Sequence, residues 1–312
     1  MTKNILITGG AGYIGSMLTP FLLQKGYHVT VLDNFMFNQT GINQLCMNKN
    51  FQVIKDDIRN FNNIKKIIKN FDVIIPLAAL VGAPLCKQQP KNAHEINYLS
   101  TKKIIDELSK DQIVLMPTTN SAYGSGNKDN FCDEKTELKP ISDYAVDKVN
   151  IEKELMQRSN SISFRLATVF GMSPRMRIDL LVNDFTYRAV KDGFIVLFES
   201  HFKRNYIHIT DVCEIFGHAL SNLNSMLGEI YNVGISDVNL SKLELCKEIK
   251  KYVPKFVFFE EQFAKDEDQR NYIVSNEKIL KTGFKTKISI SEGVNELIKG
   301  YKMLNNNKFS NV

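Results

Sequence analysis

The segment Thr8-Gly9-Gly10-Ala11-Gly12-Tyr13-Ile14-Gly15 constrains the fold most, because it follows a short apolar run and opens a helical pattern. Gly9, Gly12 and Gly15 recur at intervals of three. A strand that turns into a helix through such a loop needs one glycine for the tight turn. A second lets backbone N–H groups approach a pyrophosphate, and a third lets strand and helix pack closely. Glycines collect in many loops; the position directly after a strand gives this triplet its weight.

The residues beyond the loop extend the same pattern. Short apolar runs at 4–8, 28–32, 51–55, 72–75 and 112–116 read as buried strands. Between them, 12–25, 62–70 and 90–110 place apolar residues three and four apart, as helices do. Strand–helix alternation implies a Rossmann-type doubly wound parallel sheet, an α/β fold. A helix at 142–157 and a strand at 161–167 complete the run. After Gly171 the order loosens into helices at 179–191, 211–223, 241–252 and 291–304, with strands at 205–209, 230–233, 255–259 and 271–274. No proline- or glycine-rich linker separates the halves. We therefore expect a dinucleotide-binding domain over 1–170, rejoined by a segment at about 205–234. A smaller interleaved substrate lobe would comprise 171–204 and 235–312, ending in a polar, frayed tail at 305–312.

Bulk properties narrow the partners. Of 312 residues, 43% are hydrophobic and 24% charged, the mix of a soluble globular chain. The net charge of +6 is spread thinly, and pairs such as Lys65-Lys66 and Lys102-Lys103 read as solvated helix faces. No basic stripe carries interleaved aromatics, which speaks against nucleic acid. Cys46, Cys86, Cys132, Cys213 and Cys246 form no CxxC pair, against a zinc site or disulfide framework and for a reducing compartment. The opening residues enter a strand without the apolar stretch of a signal peptide. No apolar run approaches the roughly 20 residues that cross a bilayer. A cytoplasmic protein with no membrane partner is expected.

Two further positions carry chemistry. Asp33 closes the second strand about twenty residues beyond the loop, where a ribose-binding acid belongs. A carboxylate there accepts bonds from the 2′- and 3′-hydroxyls and repels a 2′-phosphate. Asn34-Phe35-Met36-Phe37 supplies no cation for that phosphate, so NAD is favoured over NADP. Tyr144 and Lys148 stand four apart in a predicted helix, on one face and one turn apart. A nearby ammonium and the nicotinamide's positive charge would favour the phenolate of a tyrosine. Thr118 and Thr119 follow the fifth strand, so that a hydroxyl of Thr119 would face this helix beside the cofactor crevice.

Together these motifs resemble the extended short-chain dehydrogenase/reductase family, and within it the NAD-dependent sugar-nucleotide epimerases and dehydratases. The resemblance runs from about residue 3 to 300. It is carried by TGGAGYIG, Asp33, Asp56-Asp57-Ile58, Leu77-Ala78-Ala79, TTNSAYG, YAVDK, Arg165-Leu166-Ala167-Thr168-Val169-Phe170-Gly171, Arg204-Asn205-Tyr206-Ile207-His208 and Tyr231-Asn232-Val233-Gly234. It implies that Gly9, Gly12, Tyr13, Ile14, Asp33, Asn34, Asp57, Ile58, Leu77, Ala78, Ala79, Thr118, Tyr144 and Lys148 hold NAD. Thr119, Tyr144 and Lys148 would be catalytic, Tyr144 removing a sugar hydroxyl's proton while hydride leaves the same carbon. Val81, Thr119, Asn120, Asn183, Arg204 and Arg270 would bind a nucleotide-linked sugar, Asn183 and the arginines holding its diphosphate. Arg175 and Arg177 are weaker candidates, and His208 reads as a stabiliser of its own strand and turn. The family pattern also implies a homodimer or homotetramer. Pro76 and Asn205 depart from the pattern, at positions where a histidine and an aspartate are usual.

The resemblance bears on the reaction too. Sugar-nucleotide 4,6-dehydratases place an acidic pair after the catalytic threonine, because moving water across two carbons needs its own acid and base. Asn120 and Ser121 stand there instead, and neither titrates. The segments 82–86 and 173–185 look closer to bacterial enzymes that oxidise GDP-heptose at the 4-position for capsule polysaccharide. A 4-dehydrogenase of that kind is the first expectation, and a UDP-hexose-type 4-epimerase the second. A non-catalytic NAD-binding sensor on the same fold is the remaining alternative; the retention of Thr119, Tyr144 and Lys148 weighs against it.

Overall fold

Hydrophobic alternation in the first strands explains the sheet. In the computed structural model, which describes residues 2–124, 131–236, 238–261 and 270–304, strand β1 (Asn4–Thr8) sends Ile5 and Ile7 to one core and Leu6 to another. A parallel strand buried on both faces reads as a near-continuous apolar run, as Ile5-Leu6-Ile7 does here between Asn4 and Thr8. Helix α1 (Gly15–Gln24), β2 (His28–Asp33), β3 (Phe51–Lys55), α2 (Phe61–Ile67) and β4 (Val73–Pro76) follow. The chain then runs through α3 (Ala83–Gln88), α4 (Pro90–His94), a π-helical turn (Glu95–Ser100) and α5 (Thr101–Glu107) into β5 (Ile113–Thr119). Val73, Ile75, Ile113 and Leu115 join the first core, while Ile74, Val114 and Met116 join the second.

The short β6 (Phe131–Cys132) precedes helix α6 (Asp143–Leu155), then β7 (Ser161–Leu166) and β8 (Thr168–Phe170). Beyond them lie α7 (Leu181–Lys191), β9 (Phe194–Phe198), β10 (Lys203–His208), α8 (Ile209–Ser221), α9 (Leu223–Met226) and β11 (Glu229–Val233). The chain closes with β12 (Asn239–Ser241), α10 (Lys242–Lys250), β13 (Val257–Glu261), β14 (Ile273–Val274), α11 (Glu277–Leu280) and α12 (Ile290–Met303).

Seven strands form one parallel sheet in the order β11-β7-β5-β4-β1-β2-β3. The chain leaves β1 in one direction and later resumes beyond it in the other, so the order reverses between β1 and β4. Doubly wound sheets open a crevice at such a point, outside the carboxyl ends of the strands. Leu18, Leu22, Val212 and Phe216 of α1 and α8 cover one face; Ile64, Ile104, Ile151 and Leu155 of α2, α5 and α6 cover the other. Each fully buried side chain of this size contributes ~1.5–3 kcal/mol. A further core joins α7, α10 and α12 through Val182, Phe185, Leu245, Ile249, Val294 and Leu297.

Two expectations need revision. Within the segment expected to rejoin the first domain, β11 is the seventh strand, but β10 pairs with β8 and β12 in a separate three-stranded sheet. The sequence reading also omits β6, β8, β9, β12, α3, α9 and α11, most of them pieces too short to show a period. The polar tail at 305–312 lies outside the described residues. Among the described residues no helix is long and apolar enough to cross a membrane.

Candidate active site

The crevice begins at the glycine turn. Gly9 adopts φ +71°, and a Cβ there would lie 2.5 Å from the backbone nitrogen of Ala78. Only a glycine lets the end of β1 press against the loop that follows β4. At Gly15 a Cβ would come within 2.6 Å of the Gly10 carbonyl oxygen, so α1 packs directly onto the turn. No side chain caps α1 at Ile14, which leaves the positive end of the helix open to an anion. The turn opens onto a cleft of about 710 Å³, lined by Gly9, Gly12, Tyr13, Ile14, Asp33, Asn34, Asp57, Ile58, Leu77, Ala78, Ala79 and Val81. Bare glycine turn, open helix end and acid at the second strand together fit a dinucleotide.

At the adenosine end, Asp33 accepts from the backbone N–H of Ala11 at 3.0 Å and of Phe35 at 2.8 Å. Burial pushes its carboxyl up, and those two bonds and the Arg175 charge oppose the rise. Asn34 donates to Asp57 at 2.8 Å. Arg59 bonds the same carboxylate, and that bond holds Asp57 well below the usual carboxylate range.

Helix α6 builds the reacting end. Ser142 caps it by accepting from Ala145 N–H at 3.3 Å; Tyr144 in the first turn and Lys148 in the second line the cleft. The Lys148 ammonium lies 6.0 Å from the Tyr144 ring centre and donates to the Pro117 carbonyl at 3.5 Å. Burial pushes Lys148 down to about 8 and Tyr144 up to about 12. Arg177 and Arg270 act the other way on Tyr144, their charges favouring the phenolate. Thr119 accepts from Ser121 N–H at 3.1 Å and donates to the Ser121 hydroxyl at 3.0 Å, and Arg270 also donates to that hydroxyl. Arg204 and Arg270 line the same cleft.

Two of the expected residues, Asn120 and Asn183, do not line the cleft, and Thr118 lines it with its hydroxyl engaged elsewhere. Thr118 turns its hydroxyl to Glu152 at 2.9 Å and Ser163 at 3.0 Å, beneath the site, because neighbours in a strand point to opposite faces. Asn120 is buried outside the cleft lining, and its amide has no hydrogen-bond partner among the described residues. Asn183 is buried as well. It donates to the Tyr13 hydroxyl at 3.2 Å and the Arg177 carbonyl at 2.8 Å, and it accepts from Gly171 N–H at 3.0 Å. Its amide is therefore a latch within the protein, not a donor aimed at a diphosphate. Tyr13 lines the cleft, but its hydroxyl is spent on the Gly171 carbonyl at 2.7 Å.

Other contributors escape sequence reasoning. Asn97, in the π-helical turn, bonds Leu80 through both backbone groups, at 2.8 and 2.9 Å, and so pins the loop after β4. Ser121 is the shared partner of Thr119 and Arg270. Arg177 pairs with Asp179 across the cleft wall. The departure at Asn205 has a structural reason: its amide donates to the carbonyls of Ile235 at 2.8 Å and Val238 at 2.9 Å. An ionised aspartate could donate to neither. Nothing in the structure explains Pro76. His208 bonds Glu296 at 2.7 Å and accepts from Thr210 N–H at 3.3 Å, as a local stabiliser does.

Comparison with known proteins agrees with this geometry. The model of the NAD dependent epimerase/dehydratase family matches residues 5–234. CDP-paratose 2-epimerase of Salmonella typhi is 26% identical, over 94% of this chain and 98% of its own. A putative UDP-glucose 4-epimerase of Methanocaldococcus jannaschii is also 26% identical, over 97% of this chain and 99% of its own. In fold, UDP-glucuronic acid 4-epimerase of Bacillus cereus, solved with UDP-glucuronic acid and NAD, superposes with a TM-score of 0.83 at 23% identity, over 96% and 99% of the two chains.

Proposed function

The chain belongs to the NAD dependent epimerase/dehydratase family, and from that premise we propose that it is a nucleotide-sugar 4-epimerase. One observation carries the reading: Tyr144, Lys148 and Thr119 gather at the reacting end, while the two positions after Thr119 hold no carboxyl. NAD, when bound, supplies a reversible hydride acceptor. The phenolate of Tyr144 takes the proton of the 4-hydroxyl and later returns it to the inverted alcohol. Thr119 hydrogen-bonds that hydroxyl, and its link to Ser121 can yield to the substrate at little cost. Lys148 and Arg270 supply the positive field that a phenolate needs. Arg204 and Arg270 are the cations offered to the substrate's diphosphate.

The two relatives named as epimerases, aligned over nearly the whole chain, favour epimerisation over net oxidation, and the one named a putative UDP-glucose 4-epimerase favours the 4-position. Oxidation of GDP-heptose at the 4-position rests on the 82–86 and 173–185 segments alone. Either activity suits the synthesis of surface polysaccharide.

Purified protein incubated with GDP-, UDP-, CDP- and dTDP-sugars in deuterated water tests the proposal, with products read by mass and NMR. A 4-epimer of unchanged sugar mass, with no solvent hydrogen at the 5-position, is expected. A ketosugar two hydrogens lighter would identify the 4-dehydrogenase instead. Loss of water would move the enzyme to the dehydratases and show that Asn120 and Ser121 do not bar elimination.

A further inference from the structure

The second lobe sends a cation to the adenosine end of the cleft. Ser173 donates to the Tyr13 carbonyl at 2.8 Å and shares a hydrogen bond with Ser16 at 2.9 Å. Pro174 packs on the cofactor loop so closely that a Cβ at Gly41 would lie 2.7 Å from its own Cβ. This strap delivers Arg175, itself buried, with its guanidinium 4.5 Å from the centre of the Phe37 ring. Arg175, Phe37, Gln39 and Asp33 line the same end of the cleft.

The surroundings of Asp33 are those of an anion site. Its carboxylate collects the N–H groups of Ala11 and Phe35 and, at 3.2 Å, the amide of Gln39. Convergent N–H donors with a guanidinium beside them are what a phosphate group requires. We propose that Ala11 N–H, Phe35 N–H, the Gln39 amide and Arg175 form a latent 2′-phosphate site, held shut by the negative charge of Asp33. Arg175 is then a second determinant of cofactor choice, supplied by a segment about 140 residues downstream of the acid. The inference concerns the dinucleotide and does not depend on which sugar the enzyme takes.

The asymmetry follows from charge. With Asp33 ionised, a 2′-phosphate meets like charge within hydrogen-bond range and is rejected. With the carboxylate gone, three donors lose their acceptor, and a phosphate oxygen can replace it. Arg175 discriminates only then, since a ribose hydroxyl asks nothing of a guanidinium.

Direct binding of NADH and NADPH, followed by nicotinamide fluorescence, tests this in four proteins: the parent, Asp33→Ser, Arg175→Leu and the double variant. Asp33→Ser is expected to tighten NADPH by about tenfold or more while weakening NADH. Adding Arg175→Leu should remove most of that gain and change NADH affinity by less than about threefold. The gain should also shrink as salt rises, because it comes from a charge pair. No gain in Asp33→Ser would overturn the proposal, as would an Arg175→Leu loss equal for the two nucleotides. Should Asp33→Ser fail to fold by circular dichroism, Asp33→Asn keeps the side-chain shape, removes the charge and carries the same comparison.

Discussion

At the scale of single residues, burial disfavours the charged forms of both Tyr144 and Lys148. Tyr144→Phe keeps the ring and deletes the phenol proposed as the proton acceptor. We expect unchanged NADH binding with turnover reduced about 100-fold or more, checked by single-turnover kinetics. Lys148 gives a pH signature. Burial lowers it from the ordinary 10.5 to about 8, so the native state releases this proton before the unfolded state does. Stability of the cofactor-free protein therefore rises between pH 8 and 10.5 from this group, and the penalty is complete below pH 8. Lys148→Met removes it. The variant should unfold later at pH 7 by on the order of 2–3 kcal/mol, with the gap to the parent closing towards pH 10.5 in denaturant titrations. The places of Asp33, Tyr144 and Lys148 at the cleft are legible in the sequence because each depends on local spacing. Thr118 and Asn120 are not. Their neighbours are equally small and polar, and only the pleat and the tight turn decide which hydroxyl or amide meets the cleft.

At the scale of elements, α6 carries a stripe that joins chemistry to support. Tyr144, Lys148 and Glu152 follow one another at intervals of four along one face. The first two line the cleft; the third enters a buried network beneath it. Glu152 accepts from Thr118, from Ser163 at 2.7 Å and from Arg165 at 2.6 Å, and both ends of the ion pair are almost fully buried. Burial pulls Arg165 down, but the bonds and charge of Glu152 more than offset it and raise the group overall. Arg165 also reaches the Tyr123 hydroxyl at 3.0 Å, which in turn donates to Asn232 on β11 at 2.7 Å. The network thus ties α6 to β5, β7 and β11 and sets where Tyr144 stands. Glu152→Ala would strand the Arg165 charge and should cost ~3–5 kcal/mol, measured by chemical unfolding. A cost below about 1 kcal/mol would mean that solvent reaches the pair. Strand and helix boundaries along this stretch are readable from apolar period alone, whereas the network is not. It needs four elements brought together, and a glutamate at helical spacing looks the same on a wet face.

At the scale of the whole molecule, the glycine turn is fastened to the chain beyond β8 and to α7. Tyr13 bonds Gly171, Ser16 bonds Ser173, and Asn183 holds Tyr13, Gly171 and Arg177 at once. Tyr301 of α12 donates to the Asn183 carbonyl at 2.9 Å, extending the tie to the last helix. Sequence order hides this arrangement, since the ties to Tyr13, Ser16 and Tyr301 each span more than 100 residues, and an asparagine in a helix near two arginines reads naturally as a phosphate ligand. The two roles for Asn183 predict different measurements. As a diphosphate ligand, it could be replaced by alanine with stability intact and only substrate binding impaired. As a latch, Asn183→Ala leaves the Gly171 N–H buried without its acceptor and frees the Tyr13 hydroxyl from one donor. That should cost about 1–3 kcal/mol in the cofactor-free protein, with no substrate present. With NAD proposed to sit on the turn that Tyr13 belongs to, its affinity should fall as well, and the stabilisation it confers at a fixed concentration should shrink with it. Calorimetry of parent and variant, with and without NAD, checks both effects, and a variant as stable as the parent would return Asn183 to the substrate site. In the parent, the same ties predict one cooperative transition that NAD shifts as a whole.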